Sequence, residues 1–263
     1  MKNLALFDMD GTLTPARKCI EPNMVAAISR LTRHMHVGIV TGSGYEYISE
    51  QCADLWKDPY INLDNLTLLP CNGTQKFEWN NNKWECTYEV NMKSEVSVNT
   101  YNTLLKKILE LQLETIQKND KLPLSGTFLQ YRGSLLNWCM IGRDFSDCDR
   151  SKFIKIDKAQ NLRKNLINQL ISHAAQLNIH NVVAVAGGEC SVDIYPIGWD
   201  KTYALKHFTK VDNIWFTGDR CKSGGNDHTL YKKIKKTGSA FHIKNPKETM
   251  GVIDNIIQKL LFL

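Results

Sequence analysis

The sequence predicts an α/β fold: a parallel sheet interrupted by an inserted α+β module. Three observations carry that reading. The apolar runs at residues 4–8 and 36–40 are separated by an amphipathic stretch at 22–35, the strand–helix–strand order of a parallel sheet. The middle of the chain holds hairpin strands and helices with no parallel crossovers. Strand–helix character then resumes after Pro196-Ile197-Gly198, which reads as a return hinge.

Residues 4–8 form a short apolar run ending in acid, as a strand buried on both faces does. A helix is expected at 22–35, with Pro22 in its first turn and Met24, Ala27, Ile28, Leu31 and Met35 on one face. His36 to Val40 is the next strand, and Thr41-Gly42-Ser43-Gly44 breaks it. A helix over 45–56 would turn Tyr45, Ile48, Cys52 and Leu55 inward. Asn80-Asn81-Asn82 marks a hairpin turn. A helix over 97–114, strands at 126–132 and 135–141, a long helix over 158–178 and strands at 182–186 and 190–195 fill the insert. A helix from Lys201, a strand at 214–216 and a terminal helix at 247–261 complete the core. The expected division is 1–85 with 197–263 for the core, and 86–196 for the insert.

Composition narrows the classes. The 263 residues are 43% hydrophobic and 23% charged, a globular balance, with net charge +6. Apart from Lys232-Lys233-Ile234-Lys235-Lys236, read as a solvated helix face, the basic residues are scattered, so no nucleic-acid partner is expected. Cysteines at 19, 52, 71, 86, 139, 148, 190 and 221 contain no CxxC pair, which argues against thiolate metal sites and redox motifs. MKNLALFDMD places acid where a secretory apolar core would continue, and no long apolar segment follows. The expectation is a soluble cytoplasmic protein with no membrane contact.

In parallel sheets ligands bind beyond the carboxyl ends of the strands. Asp8, Asp10, Thr41, Ser43, Lys201, Asp219 and Asp227 all fall there. Like charges as close as Asp8 and Asp10 repel, by roughly 4 kcal/mol at about 4 Å near a protein surface. A positive partner or a division of labour is therefore required. Carboxylates at strand ends make the hard-oxygen site that Mg²⁺ prefers, and Lys201 supplies a point charge. An Asp neutralised by metal and Lys can act as a nucleophile. A lone DxD also occurs in metal-dependent glycosyltransferases; DxDGT directly after an N-terminal apolar strand is more specific. In the insert, Cys190 to Tyr195 alternates, with Ser191, Asp193 and Tyr195 on one face, and Arg132, Arg143 and Arg150 nearby in sequence suit a phosphate.

DMDGTLT resembles the first motif of the haloacid dehalogenase superfamily. With Arg17, Ile141-Gly142-Arg143, Gly187-Gly188, Ser191-Val192-Asp193, Pro196 to Lys201, Gly218-Asp219 and Gly224 to His228, the chain resembles the eukaryotic-type phosphomannomutases along nearly its whole length. The resemblance implies a Rossmann-like haloacid dehalogenase core with a cap, or lid, inserted. It implies Asp8 as nucleophile, Asp10 as general acid/base and Lys201 as the neutralising cation. Mg²⁺ would rest on Asp8, the Asp10 carbonyl and Asp219, with Asn226 and Asp227 supporting the metal or its loop. Arg17, Thr41, Ser43, Arg132, Arg143, Arg150, Ser191 and Asp193 would bind hexose phosphate. A hexose 1,6-bisphosphate activator and a homodimer through the caps are implied too.

Departures stand beside the matches. Thr41-Gly42-Ser43-Gly44 replaces the family's Gly-Gly-Ser-Asp, Cys71 stands where Glu is usual, and Arg220 replaces Lys. The acidic loop of a second cation site gives way to Tyr231-Lys232-Lys233, so no second cation is expected. The alternatives are a Mg²⁺-dependent sugar-phosphate phosphatase of the same superfamily and a non-catalytic sugar-phosphate sensor.

Overall fold

The computed structural model describes residues 2–261, which divide into two compact units. The first runs to Glu89 and resumes at Trp199; the second spans Val90–Gly198. The expected boundaries were 85/86 and 196/197.

The first unit is built on a seven-stranded sheet. Its strands are β1 (Asn3–Phe7), β2 (His36–Val40), β3 (Leu66–Leu69), β4 (Gln75–Asn80), β5 (Lys83–Glu89), β10 (Asn213–Gly218) and β11 (Ser239–His242). The spatial order is β11-β10-β1-β2-β3-β4-β5. The pairs from β11 to β3 are parallel; β3–β4 and β4–β5 are antiparallel. The hairpin at 75–89 therefore extends the core sheet, which is why the unit reaches Glu89. Asn81 (φ 50°) and Asn82 (φ 61°) form its two-residue turn, the left-handed pair that matches the twist of paired strands.

Alternation in β1 buries both faces. Ala5 and Phe7 join one apolar cluster, with Met24, Ile28 and Leu31 of α1 (Pro22–Thr32) and Ile253 and Ile256 of α9 (Pro246–Leu261). Leu4 and Leu6 join the other, with Ala204, Leu230 and Ile234. Each Leu, Ile, Met and Phe among them contributes roughly 1.5–3 kcal/mol by burial. A strand covered on both sides reads as a continuous apolar run, which is how the sequence betrayed it.

The expected helix over 45–56 is two pieces, α2 (Tyr45–Gln51) and α3 (Ala53–Lys57). The Gln51 carbonyl accepts the Ile20 N–H at 2.8 Å, so it is drawn out of the helical ladder. Cys52, at φ −109° and ψ 10°, turns the corner. The segment opened by Lys201 is a 3₁₀ helix to His207 rather than an α-helix. β3 and β11, both four residues long, were not anticipated.

The second unit holds a four-stranded antiparallel sheet in the order β6-β7-β9-β8, from β6 (Leu129–Tyr131), β7 (Leu136–Cys139), β8 (Val182–Gly187) and β9 (Ser191–Pro196). Its helices are α4 (Met92–Val96), α5 (Val98–Lys118), α6 (Asp147–Gln160) and α7 (Leu162–Gln176). The expected single helix over 158–178 is divided at Asn161, which sits in the left-handed region that Asn tolerates. α6 went unread because Phe153 is its one buried residue, leaving no stripe. Leu177, expected on the buried stripe, lies past the end of α7 and is 48% exposed. The remaining helix of the first unit is α8 (His228–Ile234). Among the described residues no helix is long and apolar enough to cross a membrane.

Candidate active site

β1 and β10 are parallel neighbours, with Phe7 opposite Thr217. Their carboxyl ends deliver Asp8 and Asp219 to the same edge, and the Asp8 N–H donates to the Thr217 carbonyl at 3.0 Å. Lys201 opens the 3₁₀ helix, whose cap is Asp200 accepting from the Thr202 N–H at 2.8 Å. Its ammonium, fully buried, donates to Asp8 Oδ1 and, at 2.5 Å, to Asp227 Oδ1. Asp227 Oδ2 in turn accepts the Arg220 N–H at 2.9 Å, and Thr12 Oγ1 donates to Asp8 Oδ2 at 3.1 Å.

Asp8, Asp219 and Asp227 each offer an oxygen within 4.8 Å of the others. Three carboxylates against one ammonium leave two negative charges in a buried site. The protein feels the excess. Burial, then the Asp227 charge, pushes the Asp8 carboxyl up from 3.8 to about 7, although Lys201 pulls the other way. Burial and Asp227 raise Asp219 as well. Burial opposes charge on Lys201, yet Asp227 and Asp8 outweigh it and raise the ammonium above its ordinary value. Asp219 Oδ1 is buried with no hydrogen-bond partner among the described residues. An orphaned hard oxygen beside two more, with an excess of two negative charges, fits a divalent cation such as Mg²⁺.

Gly11 makes this closeness possible. Its φ is +79°, and a Cβ there would lie 2.6 Å from Asp219 Oδ2. The Asp10 side chain is directed elsewhere: its Oδ1 accepts the Arg17 N–H at 2.9 Å and the Tyr47 hydroxyl at 3.1 Å. The third carboxylate of the cluster is thus Asp227, not Asp10. Arg17 is exposed, with φ 60°. Asn226 is exposed beside the buried Asp227.

Thr41 and Ser43 follow β2, the strand beside β1. Thr41 Oγ1 accepts the Ser43 N–H at 3.1 Å, and the Cys71 and Asn72 N–H groups donate to the Ser43 and Thr41 carbonyls at 2.9 and 2.7 Å. Cys71 and Asn72 both have positive φ, and this clamp on the loop had no sequence signal beyond the Asn72-Gly73 pair. Thr12 and Tyr47 also went unread. Thr12 is legible in retrospect, since it stands inside DxDGT; Tyr47 lies within the expected helix over 45–56 but outside its inward set.

In the second unit, Ser191 and Asp193 are half-buried on β9, while Val192 and Ile194 are fully buried, as alternation required. Tyr195 is buried as well, at 8% exposure. Asn137 of β7 donates to Ser191 Oγ and Asp193 Oδ1 and accepts from Arg143 Nη1. Burial raises the Asp193 carboxyl; Arg132, Asn137 and Arg143 oppose the rise. Arg132, Arg143, Ser191 and Asp193 thus share one neighbourhood. Arg150, on α6, instead ion-pairs with Asp147 at 2.6 Å and reaches Glu189 at 3.5 Å. Gly187 gives Asp193 room, since a Cβ there would meet the carboxylate at 2.5 Å.

A cavity of about 540 Å³ opens at the amino ends of β1 and β2, away from these carboxylates, lined by His36, Lys76, Glu78 and His207 among others. His36, Lys76, Glu78 and His207 are already paired: His36 with Thr67 at 2.7 Å, Lys76 with Glu78 at 2.7 Å, His207 with the Gly73 carbonyl at 2.7 Å. The chemistry lies at the opposite edge of the sheet.

A mostly parallel sheet with a carboxylate cluster at its carboxyl edge defines a haloacid-dehalogenase-type α/β enzyme. Solved structures with this fold include IMP-bound, N-terminally truncated IMP-nucleotidase of Plasmodium falciparum (TM-score 0.67, 16% identity, 98% of this chain and 68% of that one). Trehalose-6-phosphate phosphatase of Aspergillus fumigatus is another (TM-score 0.53, 16% identity, 96% and 91%). The sequence profile of the eukaryotic phosphomannomutases matches residues 24–259, and the chain belongs to that family of isomerases. Relatives include the phosphomannomutase of Triticum aestivum, 32% identical over 249 residues, which span 94% of this chain and 92% of that one. The probable phosphomannomutase of Caenorhabditis elegans is 30% identical over 261 residues, 98% and 97% of the two chains.

Proposed function

We propose that this enzyme interconverts mannose 6-phosphate and mannose 1-phosphate through an aspartyl phosphate on Asp8 and a hexose 1,6-bisphosphate, and so supplies GDP-mannose synthesis. The observation that carries the reading is the buried Asp8 carboxylate, held by Lys201 beside Asp219 and Asp227.

In this mechanism the Asp8 carboxylate attacks a phosphoryl group of the bisphosphate. The P–O bond to the sugar breaks, and Asp10 protonates the departing sugar oxygen. On return, Asp10 takes the proton from the O6 hydroxyl of an incoming mannose 1-phosphate, which attacks the aspartyl phosphate and gives the 1,6-bisphosphate; the bisphosphate reorients, and transfer of its O1 phosphoryl group back to Asp8 releases mannose 6-phosphate. Lys201 offsets the charge on Asp8 and the phosphoryl oxygens. Asp8, Asp219 and the Asp10 carbonyl would hold Mg²⁺, with Asp227 and Asn226 in support, and the ion would supply charge neutralisation of the phosphoryl group. Ser43, with Thr41 shaping its loop, contacts the transferring phosphoryl group. Arg17, Arg132, Arg143 and Arg150, with Ser191 and Asp193, hold the hexose phosphate, the second unit serving as cap. Hexose 1,6-bisphosphate primes the free enzyme by phosphorylating Asp8.

The assay supplies mannose 1-phosphate and Mg²⁺, with and without glucose 1,6-bisphosphate, and follows mannose 6-phosphate and free phosphate. Bisphosphate-dependent isomer with little phosphate is expected. Free phosphate as the main product sinks the mutase in favour of a phosphatase; binding without turnover leaves a sensor. A cytoplasmic homodimer paired through the caps belongs to the same proposal. What supports the pairing is an apolar stripe on α5, where Val98, Leu109 and Leu113 are 57%, 52% and 57% exposed.

A further inference from the structure

The polar face of β9 takes its hydrogen-bonding character from a residue on the neighbouring strand. Asn137 pairs with Asp193 in the β7–β9 register and is 2% exposed. Its Nδ2 donates to Ser191 Oγ at 3.0 Å and to Asp193 Oδ1 at 2.6 Å; its Oδ1 accepts from Arg143 Nη1 at 2.6 Å. The partners dictate which end of the amide is which. A carboxylate only accepts and a guanidinium only donates. A flipped amide would set its oxygen against Asp193 and its NH₂ against Arg143.

The consequence falls on Ser191. Its hydroxyl donates to the Gly187 carbonyl at 2.6 Å, and Arg163 Nη1 pins the same turn by donating to the Gly188 and Ser191 carbonyls at 3.1 and 3.2 Å. A hydroxyl has one hydrogen. With that hydrogen spent and one lone pair taken by Asn137, Ser191 Oγ has an acceptor site left and no donor. Asp193, whose Oδ1 already takes the other amide hydrogen, also meets a ligand as an acceptor. Acceptors repel phosphate oxygens and receive hydroxyl hydrogens. Guanidinium donors do the reverse.

We infer that Asn137 is a positioning residue that makes Ser191 and Asp193 selective for ligand hydroxyls while aiming Arg143 at the ligand's anionic group. The inference rests on the proposed reading of this face as the hexose-phosphate site, and it divides that site into a hydroxyl-reading half and a phosphate-reading half.

The experiment uses the full chain with Asn137→Asp and Asn137→Ala, and Asn137→Ser should either fail to fold by circular dichroism and thermal melting. Asn137→Asp is nearly isosteric, keeps the partner of Arg143 and removes both amide donors. KM and kcat are measured with mannose 1-phosphate, and equilibrium binding with mannose 6-phosphate and its 2-, 3- and 4-deoxy analogues. The expected result is a roughly ten- to hundredfold rise in KM and a matching loss of affinity. In addition, one deoxy analogue that the unsubstituted enzyme binds more weakly than the parent sugar is bound by the variants as well as the parent sugar. A merely structural role would weaken all the sugars equally. That uniform loss, or affinities within twofold of the unsubstituted protein, overturns the inference. Failure of the unsubstituted protein to turn over mannose 1-phosphate overturns the function instead, and the binding panel still decides the role of Asn137.

Discussion

Asp8→Asn separates the chemical role proposed for Asp8 from its cost to the fold. In the metal-free protein the Asp8 carboxyl is raised from 3.8 to about 7. Between those values the native state keeps a proton that the unfolded chain has released. Stability is therefore highest below about pH 4 for this group and is lost as pH rises through about 7. About three pH units at about 1.36 kcal/mol each give a loss on the order of 4 kcal/mol. Asn cannot ionise, and its carbonyl still accepts from Lys201. In EDTA, Asp8→Asn should thus be more stable than the unsubstituted protein at pH 8, by a few kcal/mol, with the gap closing by pH 4 to 5. Urea denaturation at a series of pH values, with and without Mg²⁺, reads the difference directly. Mg²⁺ should stabilise the unsubstituted protein at pH 8 and the variant much less. Activity should vanish in the variant at every pH. Parallel stability–pH curves for the two proteins in EDTA would refute the reasoning, because they would mean the crowded carboxylates impose no cost.

The opposite sign is expected at Lys201. Lys201→Met strands Asp8 and Asp227 without their ammonium, and breaking a buried pair from one side costs about 3–5 kcal/mol; an unchanged melting temperature in EDTA at pH 8 would contradict this. Gly11→Ala forces an L-residue into the left-handed region at a cost of about 1–2 kcal/mol and drives its Cβ against Asp219. Its Mg²⁺ midpoint, followed by thermal shift, should move to higher concentration, and an unmoved midpoint would count against Asp219 as a ligand. Leu109→Glu places charge in the exposed apolar stripe of α5. Sedimentation should show the dimer weakened or lost, whereas a monomer in both proteins would end the pairing proposal.

The parallel core was legible because its strands are buried on both faces. Leu4 to Phe7 and Val37 to Val40 leave no polar interruption to misread, and Pro22 and the stripe of α1 announce the helix between them. What was lost lacked a local signal. α6 has a single buried residue, so no period marks it. The break at Cys52 depends on Ile20 reaching Gln51 across the fold, a contact no window of sequence contains. The hairpin of β4 and β5 looks the same whether it extends the core sheet or begins an insert; pairing of Thr67 with Glu78 decides it. The site divides likewise. Asp8 and Asp219 announce themselves by their places after apolar runs, Lys201 by opening a helix after Pro196-Ile197-Gly198, and Asp227 by the motif Gly224 to His228. Asn137 and Tyr47 act through hydrogen bonds to residues elsewhere, and nothing in their own neighbourhoods sets them apart.

The two aspartates of DMDGT illustrate how the fold gives neighbouring like charges different partners. Both carboxylates follow β1, and both would compete for Lys201 if they pointed the same way. The turn prevents this. Met9 is fully buried, and its carbonyl gathers the N–H groups of Thr12, Leu13 and Thr14, which closes the loop tightly around Gly11. Asp8 is then left facing Thr12, Lys201 and the carboxylates at the sheet edge, whereas Asp10 is carried round to the Arg17 N–H and the Tyr47 hydroxyl. The Asp10 carboxylate makes no bond to Lys201, so it does not dilute the charge offset at Asp8. A phosphoryl acceptor must sit beside fixed positive charge, and a proton carrier must stand apart from it and keep hydrogen-bond partners of its own. The separate partner sets of Asp8 and Asp10 suit the proposed roles of phosphoryl acceptor and proton carrier.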